Sequence, residues 1–481
     1  AKSVTTNNIG INPNFVKNKK KFLVKLKLFF PEKNFENFEK KLAGKKFFYI
    51  EKKVSPEKVE QIKLLGEKAI ITEQKITRIY PQSNLFSHVI GQIDDENNGV
   101  SGLEKSFNNV LKTDRNNLKL TLDANIQYLI REELLKYQKI FNAEGGSSIL
   151  MDVNSGDIIS IISIPDYDLN KRNEIKDPKY INRSTKGVYE LGSVFKTFTL
   201  AAGLEENVIN TDTEFNDLPK SLKCANNQIR EYDLEIPSNL TAEEILIRSG
   251  NIGSVRIGQK LGQEKLKNFL NKIGVINKID FDIEEVGEPL KIKWGKCKVA
   301  TTSFGHGITT TPLQLAKAYS IISNGGFYID PTIIKKDFKN SKKKRVLKKS
   351  ISKQINPILR KIVSTKEGTA NLANINGYNI GGKTGTAQKS IDGVYSKEKI
   401  NTFVGVFPIH KPKFVLVVLL DGTKINKNYI YEFKDGSGFK LKGTPRNTAG
   451  WTAVEVAGKI IEKIGPILAT KYMDFNYWNA H

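Results

Sequence analysis

Three short polar motifs stand far apart in this chain of 481 residues, and they form one working site only if the fold unites them. They are Ser193-Val-Phe-Lys196, Ser249-Gly-Asn251 and Lys383-Thr-Gly-Thr386. Together they supply a nucleophilic hydroxyl, a nearby amine to take its proton, and a second set of hydroxyl and amine groups. That combination predicts acyl transfer through a covalent serine ester.

The pattern S-x-x-K is a weak signal by itself in a lysine-rich chain. It begins at the serines Ser55, Ser193, Ser341, Ser350, Ser396 and Ser437. Ser193 differs because Gly192 precedes it, both middle residues are apolar, and apolar residues continue at helical spacing. We therefore predict that Ser193 lies in the first turn of a buried helix, with Lys196 on the same face. A helix N-terminus stabilises a developing anion, and burial lowers the pKa of a lysine so that it can act as a base.

Ser249-Gly250-Asn251 follows the amphipathic stretch 242–247, so we expect it where a helix ends in a loop. A hydroxyl at that point can relay protons. The Asn251 amide can hold a substrate carbonyl and the Lys196 amine. An ordinary polar cap of the helix is the alternative interpretation of this motif taken alone.

Lys383-Thr384-Gly385-Thr386 follows the stretch 378–382, which ends in two glycines, and predicts a strand with little side-chain bulk. Glycines in a strand let another backbone approach closely, so a peptide substrate can pair along this edge. Lys383 is expected to offer positive charge to a carboxylate. The N–H groups of Thr386 and Ser193 are expected to form an oxyanion hole. A glycine-rich edge strand without a catalytic role is the alternative.

The chain carries a formal net charge of +25, and 39% of its residues are hydrophobic. This hydrophobic content suffices for globular packing, and the length predicts two or three domains. The excess of lysine indicates either a lysine-biased surface or attraction to an anionic partner such as a membrane surface or a wall polymer. No nucleic-acid partner is expected, since no recognition motif accompanies the charge.

Cysteine and histidine are scarce, with two and four residues respectively. Cys224 and Cys297 are compatible with a disulfide in an oxidising compartment and equally with two buried thiols. There is no C-x-x-C pair, so no zinc site is expected. No histidine lies in a G-x-S-x-G or similar context, which disfavours a Ser-His-Asp triad.

The coarse pattern predicts an α+β fold. Residues 1–117 are polar and lysine-rich with short strand-like pieces, and we interpret them as an accessory domain. Residues 118–481 open with a helix capped by Asp123, followed by a hairpin of strands 148–153 and 158–164. Further predicted elements are a helix from Thr311-Pro312, strands at 401–407 and 414–420, and a helix over 453–467.

The three motifs, in this order, resemble those of the class B penicillin-binding proteins, the monofunctional peptidoglycan D,D-transpeptidases. The resemblance extends over most of the chain, through the blocks Arg78-Ile-Tyr-Pro81, His88-Val-Ile-Gly91, Gly99-Val-Ser-Gly102-Leu-Glu104, Leu120-Thr-Leu-Asp123, Ser303-Phe-Gly305-His-Gly307 and Thr311-Pro-Leu-Gln-Leu-Ala316. Among subtypes the chain looks most like the septal enzyme of cell division, because of its short accessory region and the tail around Gly450-Trp451. The elongation-type enzyme is the alternative subtype.

This resemblance implies a penicillin-binding transpeptidase domain over residues 118–481, with an antiparallel sheet flanked by helices. It implies an N-terminal mixed accessory domain of dimerisation or pedestal type over residues 1–117, truncated at its start. It implies no cofactor and no metal.

The resemblance also implies roles for individual residues. Ser193 would attack the penultimate D-Ala carbonyl of a stem peptide ending in D-Ala-D-Ala, with Lys196 as its base. Ser249, with Lys383, would return a proton to the departing D-Ala amine. The residues that would position the substrate are Asn251, Thr384, Gly385 and Thr386. β-Lactam antibiotics would acylate Ser193 and leave slowly.

Two residues depart from the family's usual pattern. Leu191 stands before Gly192 where the family usually has Pro, and Gly250 stands where Ser or Asp is usual. Neither change removes a catalytic group, so we expect an effect on β-lactam affinity rather than a loss of activity.

The resemblance further implies a location on the periplasmic side of the bacterial inner membrane, with a single-pass anchor upstream of Ala1. Ala1 is interpreted as a cut point, since neither an initiator Met nor a signal peptide precedes it. Divisome proteins, including a glycosyltransferase, are the expected partners. The alternatives to a transpeptidase are a D,D-carboxypeptidase or β-lactamase-like hydrolase, and a catalytically idle penicillin-binding division scaffold.

Overall fold

The computed structural model describes residues 1–113, 117–171, 177–225, 227–335, 343–391 and 393–473. No helix within these ranges has the length and apolar character needed to cross a membrane. The S-x-x-K match at Ser341 lies outside them.

Helices and strands are interspersed along the described chain, often in runs of one type. The α-helices are α1 (Lys19–Phe29), α2 (Phe35–Ala43), α3 (Pro56–Lys63), α4 (Ser87–Ile90), α5 (Gly102–Ser106), α6 (Asn108–Thr113), α7 (Ala124–Ile140), α8 (Lys196–Glu205), α9 (Ala242–Ile247), α10 (Asn251–Leu261), α11 (Gln263–Lys272), α12 (Lys298–Ser303), α13 (Pro312–Ser323), α14 (Lys349–Ser364) and α15 (Ala453–Tyr472). The strands are β1 (Lys2–Ile11), β2 (Phe48–Val54), β3 (Ile70–Ile79), β4 (Gly145–Asp152), β5 (Ile158–Ile164), β6 (Glu214–Phe215), β7 (Ser221–Cys224), β8 (Asn227–Arg230), β9 (Leu240–Thr241), β10 (Gly381–Ile391), β11 (Val394–Phe407), β12 (Phe414–Asp421), β13 (Ile430–Glu432) and β14 (Lys440–Lys442).

The N-terminal part is built on a three-stranded antiparallel sheet with the order β2-β1-β3. Ile9 and Ile11, in the second half of β1, are fully buried against a small core to which α1, α2 and α3 contribute. The strand-like pieces predicted in this region are found as β2 and β3. Their partner β1 and the three helices were not predicted, because only a narrow side of each is buried and polar residues interrupt the apolar pattern.

The larger part contains a five-stranded antiparallel sheet with the order β10-β11-β12-β4-β5. Every residue of β4, β5 and β12 is buried, so both faces at the centre of the sheet are covered. α7 and α15 pack on each other and on the sheet, and α13 packs on β4 and β12. The prediction of an α+β fold with an antiparallel sheet flanked by helices is confirmed.

Several elements of this part lie where their local end signals predicted them. The Asp123 carboxylate caps α7 by accepting hydrogen bonds of 2.9 and 3.2 Å from two N–H groups of its first turn. Thr311 and Gln314 form a reciprocal capping box at the start of α13. The predicted hairpin 148–164 is found as β4 and β5, in antiparallel register.

The segment between β3 and α7 joins the two parts. Val89 in α4 and Leu103 in α5 are buried and belong to the core of the larger part. Arg78 Nε, on β3, donates a 2.8 Å hydrogen bond to Glu104 Oε1 on α5. A domain boundary between residues 117 and 118 therefore stays a prediction.

A disulfide links two regions that border the site described next. Cys224, the last residue of β7, is bonded to Cys297, which precedes α12. β7 and β8 form a short antiparallel hairpin, so the bond fixes its tip to the start of α12. Of the two states left open by the sequence, the structure contains the disulfide.

Candidate active site

Ser193 lies in a tight turn rather than in the α-helix that was predicted to hold it. Residues Gly192–Phe195 form a 3₁₀ turn, and α8 begins directly afterwards at Lys196. Gly192 has φ +62°, and a Cβ there would come within 2.6 Å of Thr386 O, so glycine is required where the chain passes β10. In a 3₁₀ turn the side chains at i and i+3 eclipse, which keeps Ser193 and Lys196 on one side.

Lys196 is buried, and its amine is enclosed by the second motif. Its Nζ donates hydrogen bonds to Ser249 O at 2.5 Å and to Asn251 Oδ1 at 2.6 Å, with Ser249 Oγ at 3.3 Å. Burial lowers the pKa of Lys196 to about 7, and the Glu231 carboxylate partly opposes this effect. The amine therefore exchanges a proton readily near neutral pH.

The Ser193 hydroxyl is half-buried and remains available to an incoming molecule. Its Oγ makes no hydrogen bond with any residue that the structure describes. The Lys196 amine donates to Ser249 and Asn251, so the role of Lys196 as the base for Ser193 stays a prediction.

Ser249 lies between α9 and α10, as its place after an amphipathic stretch predicted. The chain reverses there through a left-handed residue, since Ser249 has φ +57° and its N–H donates to Leu246 O at 3.2 Å. This conformation is uncommon for a residue with a Cβ. It directs both the carbonyl and the hydroxyl of Ser249 to the lysine amines.

Lys383 brings the third motif to the same hydroxyl. Its Nζ donates to Ser249 Oγ at 2.8 Å and to Thr384 O at 3.1 Å. Burial, and then the nearby Lys196 amine, hold the pKa of Lys383 well below its usual range. The role of Lys383 in offering positive charge to a substrate carboxylate stays a prediction.

The strand that carries Lys383 is the edge strand that the sequence predicted, because β10 pairs only with β11 in the five-stranded sheet. A Cβ at Gly385 would come within 2.1 Å of Leu191 O, so glycine lets the nucleophile turn lie directly on the strand. The two threonine hydroxyls are ordered by neighbours. Thr384 Oγ1 lies 2.7 Å from Thr369 Oγ1, and Thr386 Oγ1 accepts from the N–H of Ala449 at 2.9 Å.

Two groups of residues at the site were not predicted from the sequence. The first is Glu231, whose carboxylate accepts from the N–H groups of Asn251 and Ile252 at 2.7 and 2.8 Å. No motif marks this residue, which follows a short strand in a polar stretch. It became recognisable only from its contacts.

The second group lies beside the nucleophile turn. His306 Nδ1 lies 3.5 Å from Glu190 Oε2, and its ring stacks on Tyr395 with the ring centroids 5.1 Å apart. Tyr395 also donates to Glu190 Oε1 at 2.7 Å. A Cβ at the preceding Gly305 would come within 1.9 Å of Gly192 O. The signal for this group was the block Ser303–Gly307, to which the sequence assigned no role.

Two protein families match the chain. The transpeptidase domain of penicillin-binding proteins matches residues 146–435, and the penicillin-binding protein dimerisation domain matches residues 1–140. The chain belongs to the penicillin-binding protein transpeptidase family. The family recognised from the sequence motifs is thereby confirmed, and all three motifs lie within the matched transpeptidase domain.

Individual relatives agree with this family. A Caulobacter vibrioides protein named "Probable peptidoglycan D,D-transpeptidase FtsI" is 30% identical over 433 residues, covering 87% of this chain and 71% of that protein. The "Peptidoglycan D,D-transpeptidase FtsI" of Escherichia coli K12 is 29% identical over 415 residues, covering 80% and 69% respectively. Penicillin-binding protein 3 of Mycobacterium tuberculosis, in a crystal structure with aztreonam, has the same fold with a TM-score of 0.70 at 23% identity, covering 82% of this chain and 91% of that chain.

Proposed function

We propose that this penicillin-binding protein is a class B, serine-type peptidoglycan D,D-transpeptidase that cross-links stem peptides during septal wall synthesis. One observation carries the proposal. Ser249 Oγ lies 3.3 Å from Lys196 Nζ and 2.8 Å from Lys383 Nζ, so a single hydroxyl joins the three motifs beside Ser193. The D,D-transpeptidases among the relatives support the same activity.

The acylation half of the reaction uses the first motif. Lys196, as the neutral amine, takes the proton of Ser193 while Oγ attacks the carbonyl carbon of the penultimate D-Ala. The carbonyl π electrons move to oxygen and form an oxyanion. We assign its stabilisation to the N–H groups of Ser193 and Thr386, where each such donor is typically worth about 10²–10³ in rate.

Collapse of this intermediate breaks the C–N bond to the terminal D-Ala. The departing amine needs a proton, and Ser249 supplies it. Lys196, which holds the proton taken from Ser193, restores the Ser249 hydroxyl across 3.3 Å, while Lys383 orients that hydroxyl through its 2.8 Å hydrogen bond. The amine of a neighbouring stem then attacks the carbonyl carbon of the Ser193 ester and gives up a proton to the same lysine and serine groups. The C–O bond to Oγ breaks, Oγ takes the proton back, and the new amide is the cross-link. A β-lactam undergoes only the acylation step. Opening its ring C–N bond leaves the amine attached to the acyl group, so no fragment departs to make room for the acceptor amine.

Substrate positioning falls to the edge of β10, which ends the five-stranded sheet of the described residues. A stem peptide pairs with this edge as an added strand, with Asn251, Thr384 and Gly385 along its path. Thr386 adds its hydroxyl near the carboxylate of the peptide. Gly385 keeps the strand free of a side chain where the substrate and the nucleophile turn meet.

We also propose a periplasmic location, with divisome proteins, including a glycosyltransferase, as partners. The disulfide between Cys224 and Cys297 supports an oxidising compartment. The formal charge of +25 supports work next to an anionic membrane surface or wall polymer. Co-purification from dividing cells after cross-linking tests the partners, and recovery of elongation proteins in place of division proteins would contradict the septal assignment.

Covalent labelling tests the nucleophile. A fluorescent penicillin should mark the wild-type chain, and intact-protein mass spectrometry should show an adduct that is absent from Ser193→Ala. Ser350→Ala is the matched control, since Ser350 also begins an S-x-x-K pattern but lies exposed on α14. An adduct on Ser193→Ala would refute the assignment. Rapid turnover of penicillin would favour a hydrolase, and a stable adduct without cross-linking by the partner-bound protein would favour an idle scaffold.

A further inference from the structure

The carboxylate of Glu231 is joined to the N-terminus of α10. Glu231 directly follows β8, and its two oxygens accept hydrogen bonds from Asn251 N at 2.7 Å and Ile252 N at 2.8 Å. A carboxylate in this position satisfies two N–H groups that the helix leaves unpaired, and it is favoured by the helix dipole. The first residue of the helix is thereby fixed to the end of the β7–β8 hairpin.

The same short segment also orients the Asn251 side chain. Asn251 Nδ2 donates to Arg230 O at 2.8 Å, which leaves Oδ1 directed to Lys196 Nζ at 2.6 Å. An amide whose NH₂ group is already bonded on one side presents its oxygen on the other. Residues 230–231 thus determine which atom of Asn251 meets the lysine.

The glycine at position 250 is consistent with this arrangement. A Cβ at Gly250 would lie 3.6 Å from Glu231 Oε1, so a Ser or Asp side chain there would lie beside the carboxylate. An Asp at this point would bring two negative charges together. The departure from the usual S-x-N pattern therefore coincides with an acidic group that approaches from another element.

We propose that Glu231 is a positioning residue for the acylation of Ser193, and that it acts through Asn251 on the amine of Lys196. The proposal rests on the proposed function, since it concerns the base of that reaction. Glu231 has two separable effects. Its hydrogen bonds fix the place of Asn251, and its charge favours the ammonium form of Lys196.

The charge effect has a definite sign. Burial lowers the pKa of Lys196, and the Glu231 carboxylate raises it. Among the residues that the structure describes, Lys383 on β10 also faces this amine, and its own pKa is lowered by burial and by Lys196. Removing the carboxylate should therefore lower the pKa of Lys196 further, which extends the neutral, basic form of the amine to lower pH.

The test is the rate of Ser193 acylation by a fluorescent penicillin, measured from about pH 5.5 to about pH 9, where a lysine with a lowered pKa titrates. Glu231→Gln should move the midpoint of the acidic limb to lower pH, on the order of half a unit. Its maximal rate should fall about tenfold because Asn251 is less firmly placed. Glu231→Asp keeps the charge on a shorter side chain, so its midpoint should stay near that of the wild type while its rate falls.

Glu235→Gln is the matched control, because Glu235 is an exposed acidic residue four positions along the same stretch. An unchanged rate and midpoint in Glu231→Gln would overturn the proposal. An equal shift in Glu235→Gln would also overturn it, since the effect would then be one of general charge. If both Glu231→Gln and Glu231→Asp acylate more slowly but keep the same pH midpoint as each other, the charge effect would be refuted.

Two further measurements distinguish the role of Glu231 from misfolding and from failure of the proposed function. Thermal unfolding of each variant, and the fraction labelled at saturation, restrict the comparison to folded protein. Failure of the wild type to form an adduct at Ser193 would refute the proposed function itself. A wild type that acylates normally beside an unaffected Glu231→Gln would refute only the role of Glu231.

Discussion

Lys383 Nζ and Ser249 Oγ are joined by a 2.8 Å hydrogen bond between buried groups. The same hydroxyl lies 3.3 Å from Lys196 Nζ, so two amines share one oxygen. Two ammonium groups in this position would repel each other in a region from which water is excluded, and both lysines have lowered pKa values. One proton distributed over this trio suits a site that must first accept a proton and later return it.

Acylation should depend on pH in the way that a neutral lysine base requires. The amine of Lys196 is protonated and inactive as a base below its pKa, which is about 7, and neutral above it. The rate of β-lactam acylation should therefore rise with pH and reach half its maximum near pH 7. Stopped-flow acylation across this range checks the prediction, and a rate that stays flat through neutral pH would rule out Lys196 as the titrating base.

Removing the hydroxyl of Ser249 should slow acylation by about 10²-fold, because Lys383 then loses its link to the reacting groups. Ser249→Gly is the appropriate change, since Ser249 has φ +57°, a conformation that glycine adopts without strain. Ser249→Ala carries an added backbone cost of roughly 1 kcal/mol, so it should be less stable than the glycine variant at similar activity. Acylation rates paired with thermal melts measure both effects. A glycine variant with wild-type kinetics would contradict the relay.

A methyl group at position 305 should disturb the nucleophile turn. Gly305 has φ +88°, and a Cβ there would come within 1.9 Å of Gly192 O. Gly305→Ala should therefore lower the melting temperature and slow Ser193 acylation by at least about tenfold. Gly295→Ala is the control, because no atom lies within 4 Å of its added Cβ. The prediction fails if both variants acylate at the wild-type rate.

The disulfide should support both stability and the site. Its two cysteines are 73 residues apart, so the bond restricts a long loop of the unfolded chain and is worth about 3–4 kcal/mol. Replacing Cys224 and Cys297 together by serine should lower the melting temperature by several degrees. It should also slow acylation, since the β7–β8 hairpin that precedes Glu231 loses its attachment to α12. A double variant with unchanged melting and unchanged acylation would show that the bond supports neither.

Elements marked by local sequence signals were predicted correctly, and elements stabilised by distant parts of the chain were not. α7 was found because Asp123 caps its first turn, and β4 and β5 because their apolar runs flank a polar turn. α1, by contrast, buries only Phe22, Leu23 and Leu26 among its lysines, so its pattern gave little sign of a helix. Burial by distant parts of the chain, rather than local preference, stabilises such an element.

At the candidate site, too, local motifs were predicted and long-range contacts were not. Ser193, Lys196 and Lys383 were predicted because each belongs to a motif of a few consecutive residues. The sequence did not predict how these residues meet, since the 3₁₀ turn at Ser193 packs closely on β10, which is distant along the chain. Glu231 could not be found in advance, because its role arises only when a hairpin meets α10.

The contact between the nucleophile turn and β10 limits how resistance to β-lactams can arise in this chain. A Cβ at Gly385 would clash with Leu191 O, and a Cβ at Gly192 would clash with Thr386 O. Neither glycine can therefore be replaced by a larger residue unless the turn and the strand move apart. Substitutions selected by an antibiotic are therefore not expected at Gly192 or Gly385. Positions where an added Cβ meets only ordinary contacts, such as Gly250 with its nearest atom at 3.6 Å, are where substitutions can discriminate drug from stem peptide while the chemistry stays intact.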